Sequence, residues 1–565
     1  MAVFHHFLVA VFLLLTPSGS VAFLPFGSNL KVVTEFGEVE GVDLRESYGF
    51  LGVPFGKPPV GTLRFTEPQP PDAWNGTLPV KEYPPGCIQE CKEPPDGCPL
   101  TISEDCLYLN IWTPRSNSSA DPHPVFLFMH GGNFRDGGGG VPIYDGRYLA
   151  EFADTVVVTI NYRLEAFGWL YLGNITDPDS GKQFSLANLG LKDQRLAMKF
   201  VHDNIEHFGG DPNRVSMRIT ISGQSAGAQS VGFHLMSPES DPLFQQAIMF
   251  SNPFGLPYKT PEDAIKMADT FSGYMGCDPG DLKCLRSRSA EETLDASQQT
   301  TLSLYNPREI LQFFEQWHPT VGEGEYPEEI LEAFALGQYQ TKPIMMGTLT
   351  EEGVLFIYLI FTGPLRPIAY RALLRVATVD FYREAIEQYP PVLRGDQRDI
   401  LSKVTTDYVF MCPTLNVSRI FVANNHPSVY HFVQDAAWSF EEGWTEDFSM
   451  CHGRSCHGGD LPYIFRSAPL GNYSFTDRET AMINDMSSYL GNFFHNANPN
   501  IPKTDEMRAK QPKKLPYWPK FDQKPGNTYS LLYSLCGSSV ISNYGKDICP
   551  LLDRFGYYQR APLNF

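Results

Sequence analysis

Residues Gly223-Gln224-Ser225-Ala226-Gly227 have the spacing of a turn that presents a nucleophile. The apolar run Val215–Ile221 (VSMRITI) enters it, and a stretch of small residues (AQSVGFHL) that can begin a helix leaves it. This pattern predicts a strand–turn–helix elbow. Such an elbow strains its central residue and exposes the hydroxyl, and a side chain at either flanking glycine would collide with the neighbouring strand or helix. The chemistry it suits is nucleophilic acyl transfer, which also needs donors for a developing oxyanion. A second apolar run, Pro124–Met129 (PVFLFM), leads into His130-Gly131-Gly132-Asn133-Phe134 and then Gly137 to Gly140. Backbone N–H groups of such a loop, with that of Ala226, are expected to face the oxyanion.

A serine hydroxyl needs a base and a group that orients the base. In a sheet enzyme with a nucleophile elbow the chain order is Ser, acid, His, which leaves His426, His431, His452, His457 and His495 well beyond Ser225. His431 lies in an apolar run and His495 ends a helical pattern, so both read as structural; His426 precedes a proline in a loop. His452 and His457 share the Gly-rich loop CHGRSCHGGDLPYIF, from which an imidazole can reach a cleft. For the acid, the run Pro343–Met346 ends in Gly347-Thr-Leu-Thr-Glu351-Glu352-Gly353. Carboxylates just past the carboxyl end of a strand stand where α/β sheets build their sites. Cys451, His452, Cys456 and His457 also have the types of a zinc site, but no second ligand pair is evident and secreted thiols more often form disulfides. Neither a metal nor an organic cofactor is expected.

The elements that must hold these residues follow from hydrophobic pattern. Pro124–Met129, Thr155–Ile160, Val215–Ile221, Gln246–Phe250, Pro343–Met346 and Val429–Val433 are short apolar runs bounded by turns, the signature of strands buried on both faces of a mostly parallel sheet. Asp193–Phe208, stopped by Gly209-Gly210, and Asp477–His495 read as helices. Strands alternating with helices predict an α/β architecture. Residues 31–113 have a strand-and-loop character, and helical insertions near 260–340 and 354–425 are expected to form a cap over the sheet's carboxyl edge.

Composition limits the partners and the compartment. The 565 residues carry 44 Lys and Arg against 64 Asp and Glu, a net charge of −20, which excludes a nucleic-acid binder because phosphates demand surplus cations. With 42% hydrophobic and 19% charged residues the chain folds around a large core. The apolar run Phe7–Leu15 and the small residues Ser20-Val21-Ala22 predict a signal peptide over residues 1–22, leaving 23–565 as one domain. Nine apolar residues are too few to span a bilayer core of about 30 Å, and no membrane span is expected. Sequons at Asn75, Asn117, Asn174, Asn416 and Asn472 agree with secretion to the extracellular space. Eleven cysteines in an oxidising compartment predict disulfides, with at least one thiol free or paired between chains.

Several segments together resemble the type-B carboxylesterase/cholinesterase family of α/β-hydrolases: FLGVPFGKPPVGTLRF (50–65), SEDCLYLNIWTP (103–114), NYRLEAFGWL (161–170), NLGLKDQRLAMKFVHDNIEHFGGDP (188–212), the GQSAG elbow, TEEG and HGGDLPYIF. The resemblance runs from Val32 to Phe521 in the family's order. It implies the α/β-hydrolase fold: a large, mostly parallel central sheet flanked by helices, with helical cap insertions. It implies Ser225 as nucleophile, Glu352 as acid, His457 as base, and Gly132, Asn133 and Ala226 as oxyanion donors. By the same likeness Cys87 pairs with Cys106 and Cys277 with Cys284, while Arg64 and Glu104 form a structural ion pair. Cys91–Cys98 and Cys451–Cys456 are added on proximity, and Cys412 is directed to Cys536 or Cys549. The chain departs from the family at Asn133, usually a third glycine, and at Gln224, commonly Glu. No Trp stands between Cys87 and Cys106, whereas cholinesterases place a choline-binding ring there, so capture of a quaternary ammonium by cation–π contact is disfavoured. The expected activity is hydrolysis of uncharged small-molecule carboxylic esters through an acyl-enzyme. The alternatives are an inactive adhesion protein on the same scaffold, or a lipase.

Overall fold

The runs of Val, Ile, Phe and Met do form fully buried strands: every residue of 125–129, 156–160, 219–224 and 246–250 is buried. The computed structural model describes residues 30–557 apart from 95–96, 116–121, 212–218, 304, 306–309, 379–380, 503–504, 523 and 525. The expected signal peptide, the sequon at Asn117 and the start of the Val215–Ile221 run lie outside the described residues.

Eleven strands make the central sheet: β1 (Val42–Asp43), β2 (Ser47–Pro54), β3 (Tyr108–Pro114), β4 (Val125–Met129), β5 (Val156–Ile160), β6 (Ile219–Gln224), β7 (Gln246–Phe250), β8 (Ile344–Leu349), β9 (Val429–Asp435), β10 (Tyr529–Ser534) and β11 (Ser539–Ser542). Their spatial order is β11-β10-β9-β8-β7-β6-β4-β5-β3-β2-β1. Neighbours from β10 across to β5 pair in parallel, and antiparallel pairs finish both edges. The two-residue period of a strand divides the core into two layers. In β4, Val125, Leu127 and Met129 join one cluster, and Phe126 and Phe128 the other. Helices cover both faces, as a parallel sheet requires.

The structure shifts some expected boundaries. The helix expected over Asp193–Phe208 runs Leu189–Asn204 and tightens into a 3-10 turn over Ile205–Phe208 before Gly209 (φ 93°). Asp193 is therefore an interior residue of the helix, and its carboxylate takes the Arg163 guanidinium at 2.7 and 2.8 Å. The second expected helix spans Asp477–Asn496. The strand expected at Pro343–Met346 continues to Leu349, which brings its carboxyl end directly to Glu351 and Glu352. β10 and β11 were not anticipated: neither is buried throughout, and serines interrupt their apolar residues.

Five disulfides are present: Cys87–Cys106, Cys91–Cys98, Cys277–Cys284, Cys412–Cys549 and Cys451–Cys456. Cys412 thus takes Cys549, and the exposed Cys536 is left over. Joined to each other, Cys451 and Cys456 have no thiolate to offer a metal. Arg64 and Glu104 meet through two hydrogen bonds of 2.6 Å. Asn75, Asn174 and Asn472 are exposed, while Asn416 is partly covered and the Ser418 of its sequon is buried.

Candidate active site

β6 delivers Ser225 at its carboxyl end, and the helix Ala226–Met236 begins at once after it. Ser225 has φ 57° and ψ −125°, a region that disfavours any residue with a Cβ. Close approach explains the flanking glycines. A Cβ on Gly227 would lie 2.0 Å from the Met129 oxygen of β4, and one on Gly223 would lie 2.2 Å from the Gly227 carbonyl carbon.

The residues expected as acid and base lie in the segments after β8 and β9. Glu352 is fully buried; its Oε1 accepts the Leu349 N–H at 2.8 Å and its Oε2 lies 2.6 Å from His457 Nδ1. The neighbouring Glu351 faces the other way. Its backbone bridges Cys456, and its Oε2 accepts the Ser455 N–H at 2.9 Å. The two turns are thereby stapled together, with the Cys451–Cys456 disulfide bracing the second. Phe356 and Phe410 pack against the imidazole at 5.0 and 5.1 Å. His452 sits apart, its Nε2 3.3 Å from the Trp444 oxygen. His431 lies inside β9 against Ser530, and His495 against the carbonyls of Ala153 and Asp154.

The glycine loop after β4 lies against the elbow: a Cβ on Gly131 would stand 3.0 Å from that of Ser225. Gly132, Asn133 and Phe134 all have positive φ (96°, 58° and 57°). Among the described residues the N–H groups of Gly132, Asn133 and Ala226 donate to no carbonyl or side chain. Free N–H groups beside a nucleophile are what an oxyanion site requires. The Asn133 side chain donates to the Phe314 carbonyl at 2.9 Å, which ties the loop to the cap. His130 stacks on Tyr162 at 4.3 Å, and burial holds its imidazolium down to about 4, so a neutral ring anchors the loop.

One contact has no counterpart in the sequence reading. The Gln224 amide nitrogen lies 3.1 Å from His457 Nε2. With Nδ1–H directed to Glu352, Nε2 is the acceptor and Gln224 the donor. No hydrogen bond joins Ser225 Oγ to His457 among the described residues.

Ser225 and His457 line a cavity of about 420 Å³, whose far wall carries Trp438, Phe440, Trp444 and Tyr473. Trp438, Phe440 and Trp444 follow β9, and no aromatic residue of the lining comes from the Cys87–Cys106 segment. Glu93, within the Cys91–Cys98 loop, and Asp136 also line it. Desolvation pushes both carboxyls up, and each other's proximity raises Asp136 further. A smaller cavity of about 50 Å³ shares Ser225, Asn133 and Phe356 and has Glu315 in its lining. Burial raises the Glu315 carboxyl to about 7. Glu93, Asp136 and Glu315 carry no sequence motif, so only their placement reveals them. No group of three or more metal-ligating side chains occurs among the described residues.

Residues 28–547 match the family profile described as "Carboxylesterase family". The chain is 34% identical to the "Crystal protein" of Dictyostelium discoideum over 477 residues, covering 84% of this chain and 83% of that one. It is 31% identical to "Cocaine esterase" of Homo sapiens over 511 residues, covering 84% and 82%. Among solved structures it resembles "PNB esterase" with a TM-score of 0.73 and 28% identity, covering 92% of this chain and 99% of that chain.

Proposed function

Because this chain belongs to the carboxylesterase family, we propose that it is a secreted serine esterase hydrolysing uncharged carboxylic esters through an acyl-enzyme. The observation that carries the reading is the buried Glu352–His457 contact of 2.6 Å beside the strained Ser225, all at the carboxyl edge of one sheet. Ser225 Oγ attacks the ester carbonyl and its proton passes to His457 Nε2, once the Gln224 amide gives way. Glu352 holds Nδ1–H in place and stabilises the imidazolium. The N–H groups of Gly132, Asn133 and Ala226 receive the oxyanion. His457 then protonates the departing alcohol and activates the water that releases the acid. Apart from the ester and the hydrolytic water, every group this route uses is a side chain or a backbone amide.

Uncharged substrates suit the larger cavity. Its wall is aromatic, and desolvation shifts the Glu93 and Asp136 carboxyls toward their neutral forms. Secretion is supported by five disulfides, with no described helix long and apolar enough to cross a membrane. Residues 23–565 are read as one domain, glycosylated at its exposed sequons.

A fluorophosphonate probe tests the reading. The purified protein should be labelled at Ser225, and Ser225→Ala, with its circular dichroism unchanged, should lose both label and ester turnover. Undiminished turnover in that variant would refute the assignment.

A further inference from the structure

The small cavity beside Ser225 is lined mostly by apolar residues, Pro253, Leu256, Leu311, Phe314 and Phe410 among them, yet the acidic Glu315 is also in its lining, with Asn133 and Thr405. Glu315 is 3% exposed. Its Oε2 accepts the Gln229 side-chain N–H at 2.8 Å, and Gln229 lies on the first turn of the helix that follows the nucleophile. No Lys or Arg hydrogen-bonds it among the described residues. Buried Lys259 acts on it through charge but makes no hydrogen bond to it, its Nζ donating instead to the Gln316 carbonyl and to His318 Nε2, the latter at 2.9 Å. One hydrogen bond from a neutral amide leaves a buried carboxyl with unused acceptor capacity, and Glu315 lines the cavity next to the reacting serine. Asn133 reinforces the placement, because its side chain holds the Phe314 carbonyl immediately before Glu315.

We propose that Glu315 selects the acyl group: the small cavity takes short acyl chains that carry a hydrogen-bond donor, a hydroxyl group, which Glu315 accepts. A plain alkyl chain would strip the carboxyl of its remaining solvation and return nothing, so it is discriminated against. The idea rests on Ser225 being the nucleophile of an esterase.

The test uses the purified full chain with p-nitrophenyl esters matched in size, butanoate against 3-hydroxybutanoate, with 4-aminobutanoate as an ammonium arm. Wild type is compared with Glu315→Leu and with Glu315→Gln, the second keeping the test open should the first not fold. The ratio of kcat/KM for hydroxyacyl over alkanoyl ester is expected to fall by about 10- to 100-fold in Glu315→Leu, the range of a hydrogen bond to a buried charged group. Glu315→Gln, which still accepts, should fall less. A ratio the same within about twofold in wild type and both variants overturns the proposal, as does preference for the ammonium ester over the hydroxy ester. A pre-steady-state burst of nitrophenolate separates the two layers. Absence of a burst with every ester removes the acyl-enzyme reading and this proposal with it, whereas a burst with an unchanged ratio removes Glu315 alone.

Discussion

Changing Glu352 to Gln keeps the shape of the side chain and alters one atom's chemistry, in a place where two donors converge. Oε1 accepts the Leu349 N–H at 2.8 Å and Oε2 meets His457 Nδ1 at 2.6 Å, in a site with no solvent access. An amide has one oxygen, so in either orientation its NH2 confronts a donor. The backbone N–H of Leu349 cannot move its proton, but the imidazole can, and the second tautomer puts hydrogen on Nε2 and leaves Ser225 without an acceptor. The lost charge adds to this. Two unit charges about 4 Å apart interact by about 4 kcal/mol at an effective dielectric near 20, and that much less stabilisation of the imidazolium slows turnover about a thousandfold. Together with the tautomer effect, a loss of about 10³ to 10⁴ in kcat/KM is expected. The assay is p-nitrophenyl acetate hydrolysis, with thermal unfolding as a check on the fold. Glu351→Gln is the control: Glu351 touches Ser455, not His457, and its loss should stay under about tenfold. A Glu352→Gln enzyme within tenfold of wild type, or a larger loss in Glu351→Gln, would refute the reasoning.

Three further outcomes follow from the geometry. Gln224→Met removes the amide that competes with Ser225 for His457 Nε2, so fluorophosphonate labelling should quicken about two- to tenfold, the range of one net hydrogen bond; slower labelling would mean that Gln224 supports the imidazole instead. Removing the Cys412–Cys549 disulfide, whose sequence separation is 137, should lower unfolding stability by about 3 to 5 kcal/mol, read as a lower denaturant midpoint; an unchanged midpoint contradicts this. His431 is buried in β9 and burial holds its imidazolium down to about 3. The unfolded chain therefore takes up a proton near pH 6.5 that the folded chain refuses. Stability falls as pH drops below about 6.5, by about 2 kcal/mol at pH 5. His431→Gln abolishes this share, so the stability difference between pH 7 and pH 5 should shrink in the variant, and an equal slope in both proteins would count against it.

Local chemistry explains what was legible in the chain alone. The elbow at Gly223–Gly227 depends on residues within five positions of one another, and the buried strands depend on uninterrupted apolar runs, so both are written where they act. The same holds for the glycine loop after β4. Resemblance to a family, carried by segments spread from Val32 to Phe521, singled out Glu352 over Glu351 and His457 over His452 where the residues by themselves left both open. The structure shows why the residues could not decide. Glu351 and Glu352 are neighbours of one type, and only the packing of the two turns sends one to Ser455 and the other to His457. β10 and β11 escaped notice because serines interrupt their apolar residues and neither is buried throughout, so the continuous apolar signature is lost.

Sequence by itself determined an acidic α/β chain with eleven cysteines, a serine in a strand–turn–helix elbow and a glycine-rich loop after a buried strand. Tertiary structure alone decided the choice of Cys549 for Cys412, the seating of Gln224 on His457 and the enclosure of Glu315 beside Ser225. Gln224 and His457 are separated by 233 residues, and Gln229 and Glu315 by 86. Contacts of that span have no local propensity to announce them; they exist because sheet order and helix packing bring distant turns to one edge.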